Sequence, residues 1–357
     1  MAAKRNPTTP KKDPIIGKIS DFISRYVTLP ASELLICSHY VLHTHQFSER
    51  CQQPVITPYL YVYSAEKRSG KSRLGIDVMG VLCRNFQGVN NVTTATLFRL
   101  AATRCTLAID EVDMLFGGGK ANDDLVGTMN TGYRMGGYVP RYDSKAGEVV
   151  HFSTFAPKIF VGIDNGMMKD TTRDRCIPIH MHRQTSEEAT KVQPFYSYRN
   201  EEEVAALNAE MYDWSLEHTV GMRDYDPEPI PSIADNDRQV EVSVPLLQVA
   251  RVTGYEKELR EAIADVFEKN AQPENSAETD MLLLIQELFD ELGQERVTSE
   301  AVLAKLQEDQ RFRGLNGKGL SHKLGAYGIA SKTIRFASGP KRGFERKMFL
   351  DAWERYL

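Results

Sequence analysis

Tyr59-Leu60-Tyr61-Val62-Tyr63-Ser64-Ala65-Glu66-Lys67-Arg68-Ser69-Gly70-Lys71-Ser72 is the stretch on which the rest of the chain depends. Its hydrophobic start reads as a strand, its middle as a tight loop, and Gly70-Lys71-Ser72 as the beginning of a helix. That is the tail of a phosphate-binding loop of the G-x-x-x-x-G-K-[ST] type. Backbone N–H groups of such a loop cradle phosphates, its lysine reaches the β and γ oxygens, and its hydroxyl holds Mg²⁺. The first glycine position is Ala65, which removes some backbone freedom. Taken alone, Gly-Lys-Ser also fits a loop with no ligand, so the flanking motifs have to decide.

The most informative of them follows about forty residues later, as Cys105-Thr106-Leu107-Ala108-Ile109-Asp110-Glu111-Val112-Asp113. An apolar strand ending in Asp-Glu suits a site where Asp110 holds Mg²⁺ through water and Glu111 orients or deprotonates the attacking water. Two acids capping a strand end are the plain alternative. The order after a phosphate loop favours ATP as the ligand. Pro157–Ile163 is the next buried strand, with Asp164-Asn165 at its end, where Asn165 and Asp164 are both candidate sensors of the γ-phosphate and a plain turn is the alternative. Asp170–Arg175 then leads into a strand over 176–181. Arg175, ahead of Arg173, is a candidate arginine finger for a neighbouring subunit; a surface Arg–Asp pair is the alternative.

Between these strands, Tyr138–Tyr142 and Glu148–Phe152 flank Asp143–Gly147 and read as a β-hairpin with Lys145 near its tip, where it can meet a phosphate backbone. Short elements fill the remaining gaps: a helix over about 71–84, a strand at Asn90–Val92, a helix capped by Thr93-Thr94, and a helix over 125–135.

The chain has 357 residues, 41% hydrophobic and 26% charged, with a net charge of −4, as in an ordinary soluble protein with room for two or three modules. No apolar run is long enough to span a membrane. Cys37, Cys51, Cys83, Cys105 and Cys176 are scattered and form no C-x-x-C pair, which points to reduced thiols in a cytoplasmic setting. His39, His43 and His45 lack a carboxylate or cysteine at matching spacing and read as packing or capping residues rather than metal ligands.

Outside the core, residues 1–14 form a basic, proline-containing mobile tail, and 15–57 form N-terminal helices broken at Pro30. The ATPase core spans 58–183. Residues 184–272 form a helical lid or connector, with Pro245 opening one of its helices and Arg238 a candidate second sensor at the nucleotide. A polar linker over Asn270–Ala277 leads to the last module, 278–357. There, three helices and two strands (Thr333–Phe336 and Gly343–Phe349) follow the order of a winged helix. From 311 to 349 ten Lys or Arg residues stand against Glu345 alone, the footprint of a phosphate-backbone binder. Lys318, Lys323, Lys332, Arg335, Lys341 and Arg342 are the DNA-contact candidates; a solvated basic face is the alternative.

Several of these segments together resemble a known family. They are Val41–His45, the Ser-Gly-Lys-Ser-Arg loop with Ser69 and Arg73, and Leu107–Asp113. Gly132-Tyr133-Arg134, Val139-Pro140-Arg141, Phe155-Ala156-Pro157, Asp174–Ile179, Tyr327-Gly328-Ile329, Thr333-Ile334-Arg335 and Ala352–Leu357 complete the set. The pattern is similar to a domain-of-unknown-function P-loop ATPase family of actinobacteria, their phages and mobile elements, some of whose members carry helicase or primase-associated labels. Members usually have a Pro-Glu-x-Gly-Ser-Gly-Lys-Thr loop, from which this chain departs at Ala65–Ser69. More distantly the core resembles AAA+ and superfamily-three helicase ATPases, whose pre-sensor hairpin grips DNA inside a ring. That implies DNA contact by Lys145, Arg141 and His151.

Together these readings give an α/β, AAA+-like P-loop ATPase core with N-terminal helices, a helical lid and a C-terminal winged-helix domain. ATP and Mg²⁺ are the expected ligands. The expected partners are a homo-oligomeric ring, with a hexamer the favoured size, single- or double-stranded DNA, and replication proteins. The resemblance implies a helicase or translocase of phage or mobile-element replication in a bacterial cytoplasm. An ATP-switched initiator or helicase loader and an ATP-bound scaffold remain open.

Overall fold

A computed structural model describes residues 12–357 except 91, 113–120, 145–146, 165–167, 271–276, 326 and 338. The chain divides into two compact units, Met1–Asn270 and Ala271–Leu357.

In the first unit, α1 (Pro14–Ser24) and α2 (Ala31–Thr44) precede the central sheet. Asp13 caps α1 by accepting from the Ile15 N–H, and Pro14 opens it, where a missing N–H costs nothing. The expected mobile tail is therefore anchored at its end. Lys12 pairs with Glu258 at 2.7 Å and the Asp13 N–H donates to the Thr253 carbonyl. Residues 1–11 lie outside the described residues.

Five parallel strands make the sheet: β1 (Tyr59–Ser64), β2 (Phe86–Val89), β3 (Thr106–Ile109), β6 (Lys158–Ile163) and β7 (Cys176–His180). Their spatial order is β2-β3-β6-β1-β7. β4 (Tyr138–Asp143) and β5 (Glu148–Ser153) form the separate antiparallel hairpin, each strand one residue longer at its C-terminal end than the sequence suggests. Both faces of the sheet are covered, which is why β1 and β3 are buried along their whole length and read as continuous hydrophobic runs. Tyr59, Tyr61 and Tyr63 share one face and Leu60 and Val62 the other. Against the latter lies the helix that begins at Lys71. A Cβ on Gly75 would lie 2.5 Å from Val161 Cγ2, so only glycine lets that helix approach so closely.

This helix differs from the regular one expected over 71–84. After Lys71 and Ser72, residues Arg73–Val78 are π-helical, and α3 (Met79–Leu82) closes it. The strand expected at Asn90–Val92 lies earlier, at β2, because pairing with β3 runs from Phe86–Thr106 to Val89–Ile109. Thr93 caps α4 (Thr94–Ala101) as expected, while the helix expected over 125–135 is α5 (Ala121–Thr131). Two short helices, α6 (Asp170–Arg173) and α7 (Ser186–Lys191), are followed by α8 (Glu201–His218), α9 (Asp237–Thr253) and α10 (Glu256–Lys269). Pro245 does not open a helix but lies inside α9. Burial of Val242, Leu246, Leu247, Val249 and Ala250 around it outweighs a proline penalty of about 3 kcal/mol. Helices α8–α10 share one hydrophobic core with the sheet.

The second unit has its own core around Leu282, Ile285, Phe289, Phe344, Phe349 and Trp353. Its elements are α11 (Ala277–Leu292), β8 (Arg296–Thr298), α12 (Ser299–Gln307), α13 (Gly317–Gly325), β9 (Lys332–Phe336), β10 (Gly339–Glu345) and α14 (Leu350–Tyr356). The sheet is antiparallel, ordered β8-β10-β9. β8 has no counterpart in the sequence reading, being only three residues long. The second expected strand begins and ends earlier than Gly343–Phe349 and gives way to a 3₁₀ turn at Arg346–Met348.

Candidate nucleotide-binding site

β1 ends in Ser64, and the loop after it turns through two left-handed residues, Arg68 (φ +65°) and Gly70 (φ +83°). Glycine takes that conformation without strain, whereas Arg68 is held in it at a cost of about 1–2 kcal/mol. The turn leaves Lys71 nearly buried, at 9% exposure. Its Nζ donates to Ser64 Oγ at 2.7 Å, to the Glu66 carbonyl at 2.8 Å and to Ser69 Oγ at 3.2 Å. Ser69 Oγ also donates to Ser64 Oγ at 2.8 Å. The lysine thus folds into the concavity of its own loop, on neutral oxygens that a phosphate can replace with stronger charge-assisted bonds.

Beside the loop is a cavity of about 360 Å³. Tyr26 and Thr28, just after α1, line it, together with Ser69 and Gly70 of the loop, Arg73 of the helix after it, and Met181 and Gln184 beyond β7. Gln184 Nε2 donates to Thr28 Oγ1 at 3.2 Å, and the Tyr26 hydroxyl donates to Asn200. Aromatic, thioether and amide groups converge there next to a phosphate loop, which suits a nucleoside.

Two strand spacings from β1, roughly 10 Å, Asp110 stands at the tip of β3. Its Oδ1 accepts from the Glu111 N–H at 2.9 Å, and Glu111 is held at φ +54°. That is an unfavourable conformation for glutamate, of the kind that clusters at working sites. Asp77, one of the residues lining the cavity, has its pKa raised by burial and then by Asp110, against Arg73. Ser72 and Arg73 are exposed at the start of the helix that follows the loop. The donors fit Mg²⁺: a serine hydroxyl and a carboxylate are hard oxygen ligands, and Mg²⁺ takes one or two carboxylates with phosphate and water.

Between the two tips, at the end of β6, Asp164 accepts from Arg173 at 2.7 and 3.4 Å. Both side chains are about one-fifth exposed, and the guanidinium lies 5.6 Å from the Tyr61 ring centroid. Arg173, a finger candidate by sequence, is therefore committed to an acid of its own chain. Asn165 and Lys145 lie outside the described residues.

Arg175 is at the other end of the sheet. Its carbonyl accepts from the Tyr59 N–H, so it lies level with the start of β1, roughly 17 Å from Ser64. Its guanidinium donates to the carbonyls of Asn130, at 3.0 Å, and Thr171, and lies 4.8 Å from the Tyr133 centroid. Arg238 does not reach the nucleotide loop of its own chain, contrary to expectation. It lies 4.8 Å from the same Tyr133 centroid and bonds the Tyr133 hydroxyl and Glu241. Burial, and then the charge of Arg238, lower the Arg175 pKa.

With the geometry in view, comparison with known proteins adds the following. Residues 180–356 match a family model described as a protein of unknown function, DUF3631. The match begins at the last residue of β7, leaving the phosphate loop and Asp110 outside it. No curated protein matches the chain. Among solved structures it is similar to the apo A form of the NrS-1 C-terminal region, with 12% identity and a TM-score of 0.46, over 96% of this chain and 77% of that one. It is also similar to a RuvB mutant from Thermotoga maritima, with 15% identity and a TM-score of 0.28, over 84% of this chain and 88% of that one.

The nucleic-acid candidates separate into three groups. On the hairpin, cross-strand register puts His151 opposite Pro140, on the face that carries Tyr138 and Tyr142. His151 lies against Tyr138 with centroids 4.6 Å apart and the rings tilted by 59°, and the two tyrosines are 56% and 68% exposed. Arg141 turns out to be on the opposite face, its guanidinium 5.0 Å from the Phe98 ring, because strand alternation separates it from His151. In the second unit Lys332 pairs with Glu345 at 2.7 Å, Lys341 with Glu300 at 3.8 Å, and Arg342 donates to the Ser331 carbonyl. Lys318 and Arg335 are exposed and Lys323 is half-buried. Surface pairs of this kind contribute little and can exchange for phosphate.

Sequence reasoning missed the cavity wall, the Tyr133–Arg238–Glu241 cluster and Lys158. Lys158 is fully buried, and its Nζ donates to Tyr59 Oη and to the carbonyls of Gly132, Thr154 and Ala156 at 3.0–3.4 Å. Burial pushes its pKa down to about 7. A lysine at the head of the apolar run Ile159–Ile163 was the available signal. The three histidines are buried and hydrogen-bonded to Leu35, Thr253, Thr57 and Leu82. Among the described residues no group of three or more His, Cys, Asp or Glu could hold a metal, and no helix is long and apolar enough to cross a membrane.

Proposed function

We propose that this chain is an ATP-hydrolysing enzyme with an AAA+-like core, acting as an oligomeric helicase or translocase on DNA. The observation that carries the reading is the division of charge across one sheet. Phosphate loop and acids stand at the strand tips, and Arg175 stands at the opposite end, out of reach of its own loop.

In this reading Lys71 leaves Ser64 and Ser69 to bind the β and γ phosphates, with the loop N–H groups around them. Tyr26, Thr28 and Gln184 receive the nucleoside. Ser72 and Asp110 hold Mg²⁺, which when bound neutralises charge on the phosphates. Glu111 accepts a proton from the attacking water. Asn165 would sense the γ-phosphate. Arg175 acts on the nucleotide of an adjacent copy, which favours a ring. The second unit, with four helices, a three-stranded antiparallel sheet and a basic stretch over 311–349, fits a winged-helix module that grips the DNA backbone.

Turnover with and without single-stranded DNA tests the proposal. Lys71→Ala should abolish both nucleotide binding and hydrolysis. Glu111→Gln should keep binding and lose about 10²–10⁴ in rate. Undiminished hydrolysis by Glu111→Gln would falsify the catalytic assignment. Strand displacement on forked DNA separates a helicase from a loader, since a loader hydrolyses ATP without unwinding.

A further inference from the structure

We infer that Asp77 is a specificity-determining residue of the nucleotide cavity. It accepts a hydrogen bond from the ribose 2′-hydroxyl and so selects ribonucleoside over 2′-deoxyribonucleoside triphosphates. The inference rests on the proposed function and deepens it, by naming the sugar that the cavity takes.

Order along the cavity decides what each group can meet. Ser69 and Gly70 stand at its phosphate end, and Tyr26, Met181 and the Gln184–Thr28 pair form the wall that suits a base. Arg73 and Asp77 line it too, about one turn apart in the π-helical segment Arg73–Val78. Such distortions are frequent at functional sites. Asp77 follows Lys71 by six residues, up to roughly 9 Å along the helix axis. That is past the terminal phosphates that Lys71 would hold, and the part of a nucleotide between its phosphates and its base is the sugar. Charge narrows the choice further. A carboxylate is repelled by a triphosphate beside it. Arg73 and Asp110 act on Asp77 by charge alone, and among the described residues none donates a hydrogen bond to its carboxylate. Its oxygens are thus open to a donor. A ribose hydroxyl is such a donor, and a charge-assisted bond to the carboxylate offsets the repulsion. Acidic residues take the ribose 2′-hydroxyl in dinucleotide sites by the same chemistry. A carboxylate that only steadies Arg73, or that reaches Mg²⁺ beside Asp110, would serve ATP and 2′-deoxy-ATP alike. The ratio of the two affinities therefore separates these roles.

Isothermal titration of the full chain with ATP and with 2′-deoxy-ATP, each with Mg²⁺, reads that ratio. Wild type should bind ATP about ten-fold more tightly than 2′-deoxy-ATP, as for one hydrogen bond to a charged group. In Asp77→Ala the ratio should fall to about one, whatever happens to the absolute affinities, because only the 2′-hydroxyl distinguishes the two ligands. Asp77→Asn keeps an acceptor oxygen without the charge and should hold the ratio at about three. It is also the near-isosteric variant to use should Asp77→Ala not fold. A wild-type ratio near one overturns this inference and leaves the proposed function standing. So does a ratio unchanged in both variants, which would give the 2′-hydroxyl to another residue. A wild-type chain that binds neither nucleotide overturns the inference and the proposed function together.

Discussion

Lys71 and Lys158 stand near opposite ends of the central sheet, each surrounded by oxygen atoms, and the difference between them separates the two ends. Lys71 follows Ser69 and Gly70, which line a cavity, and its contacts include two hydroxyls and one carbonyl. Exchanging those neutral partners for a phosphate gains charge-assisted bonds. Lys158 is sealed in, held by three carbonyls and a tyrosine hydroxyl, all supplied by its own fold. It ties the base of the hairpin, the turn before Tyr133 and the start of β1 into one block. The loop end can therefore change partners, while the arginine end presents its cations from a rigid mount. Two such ends belong to one reaction only if a second copy brings them together.

The most severe way to break this comparison is Arg175→Ala. With Arg175 acting on a neighbour, nucleotide affinity should stay within about two-fold, while assembly-dependent hydrolysis falls by about 10³ or more. Titrating protein concentration at saturating ATP checks it. Equal rates for mutant and wild type at every concentration would make the arginine end merely structural.

Lys158 gives the next largest effect, on stability. Its folded pKa of about 7 lies below the ordinary 10.5. Between those values the unfolded chain binds more protons than the folded one. The contribution is thus complete above about 10.5, is lost as pH falls toward 7, and is flat below. Lys158→Met leaves carbonyls unpaired and should be destabilised at all pH values. The gap between wild type and variant should widen as pH rises, by about 1.4 kcal/mol per unit at most. Urea unfolding at pH 7, 8 and 9 measures it, and the subtraction removes other titrating groups. A constant gap would mean that Lys158 stays charged in the folded protein across this range.

What was legible follows the range of the forces involved. The strand, loop and helix start over 59–72, the Asp110-Glu111 strand and the hairpin are contiguous in sequence, each announced by local periodicity and turn chemistry. The four-residue β2 is decided by its pairing with β3 rather than by Asn90-Asn91. The π-helical turn at Arg73–Val78 reflects the close approach of Gly75 to Val161, which local propensity does not contain. Tyr26, Gln184 and Arg238 are far in sequence from the residues they meet, and only packing of α1 and α9 brings them there. The two faces of the hairpin could have been separated in advance, since alternation alone puts Arg141 and His151 on opposite sides.

The smallest effect sharpens the comparison most. If Lys71 must leave Ser64 before it can hold phosphate, the hydroxyl competes with the nucleotide. Ser64→Ala removes one of the ammonium's oxygens and the acceptor of Ser69. A single net hydrogen bond contributes about 1 kcal/mol, so nucleotide affinity should rise about five-fold. Fluorescent-nucleotide titration of Ser64→Ala against wild type reads this directly. Unchanged or weaker affinity would mean that the loop already has its phosphate-bound form, with Ser64 supporting the cradle. The loop end would then be as rigid as the arginine end, and what sets them apart would be accessibility alone.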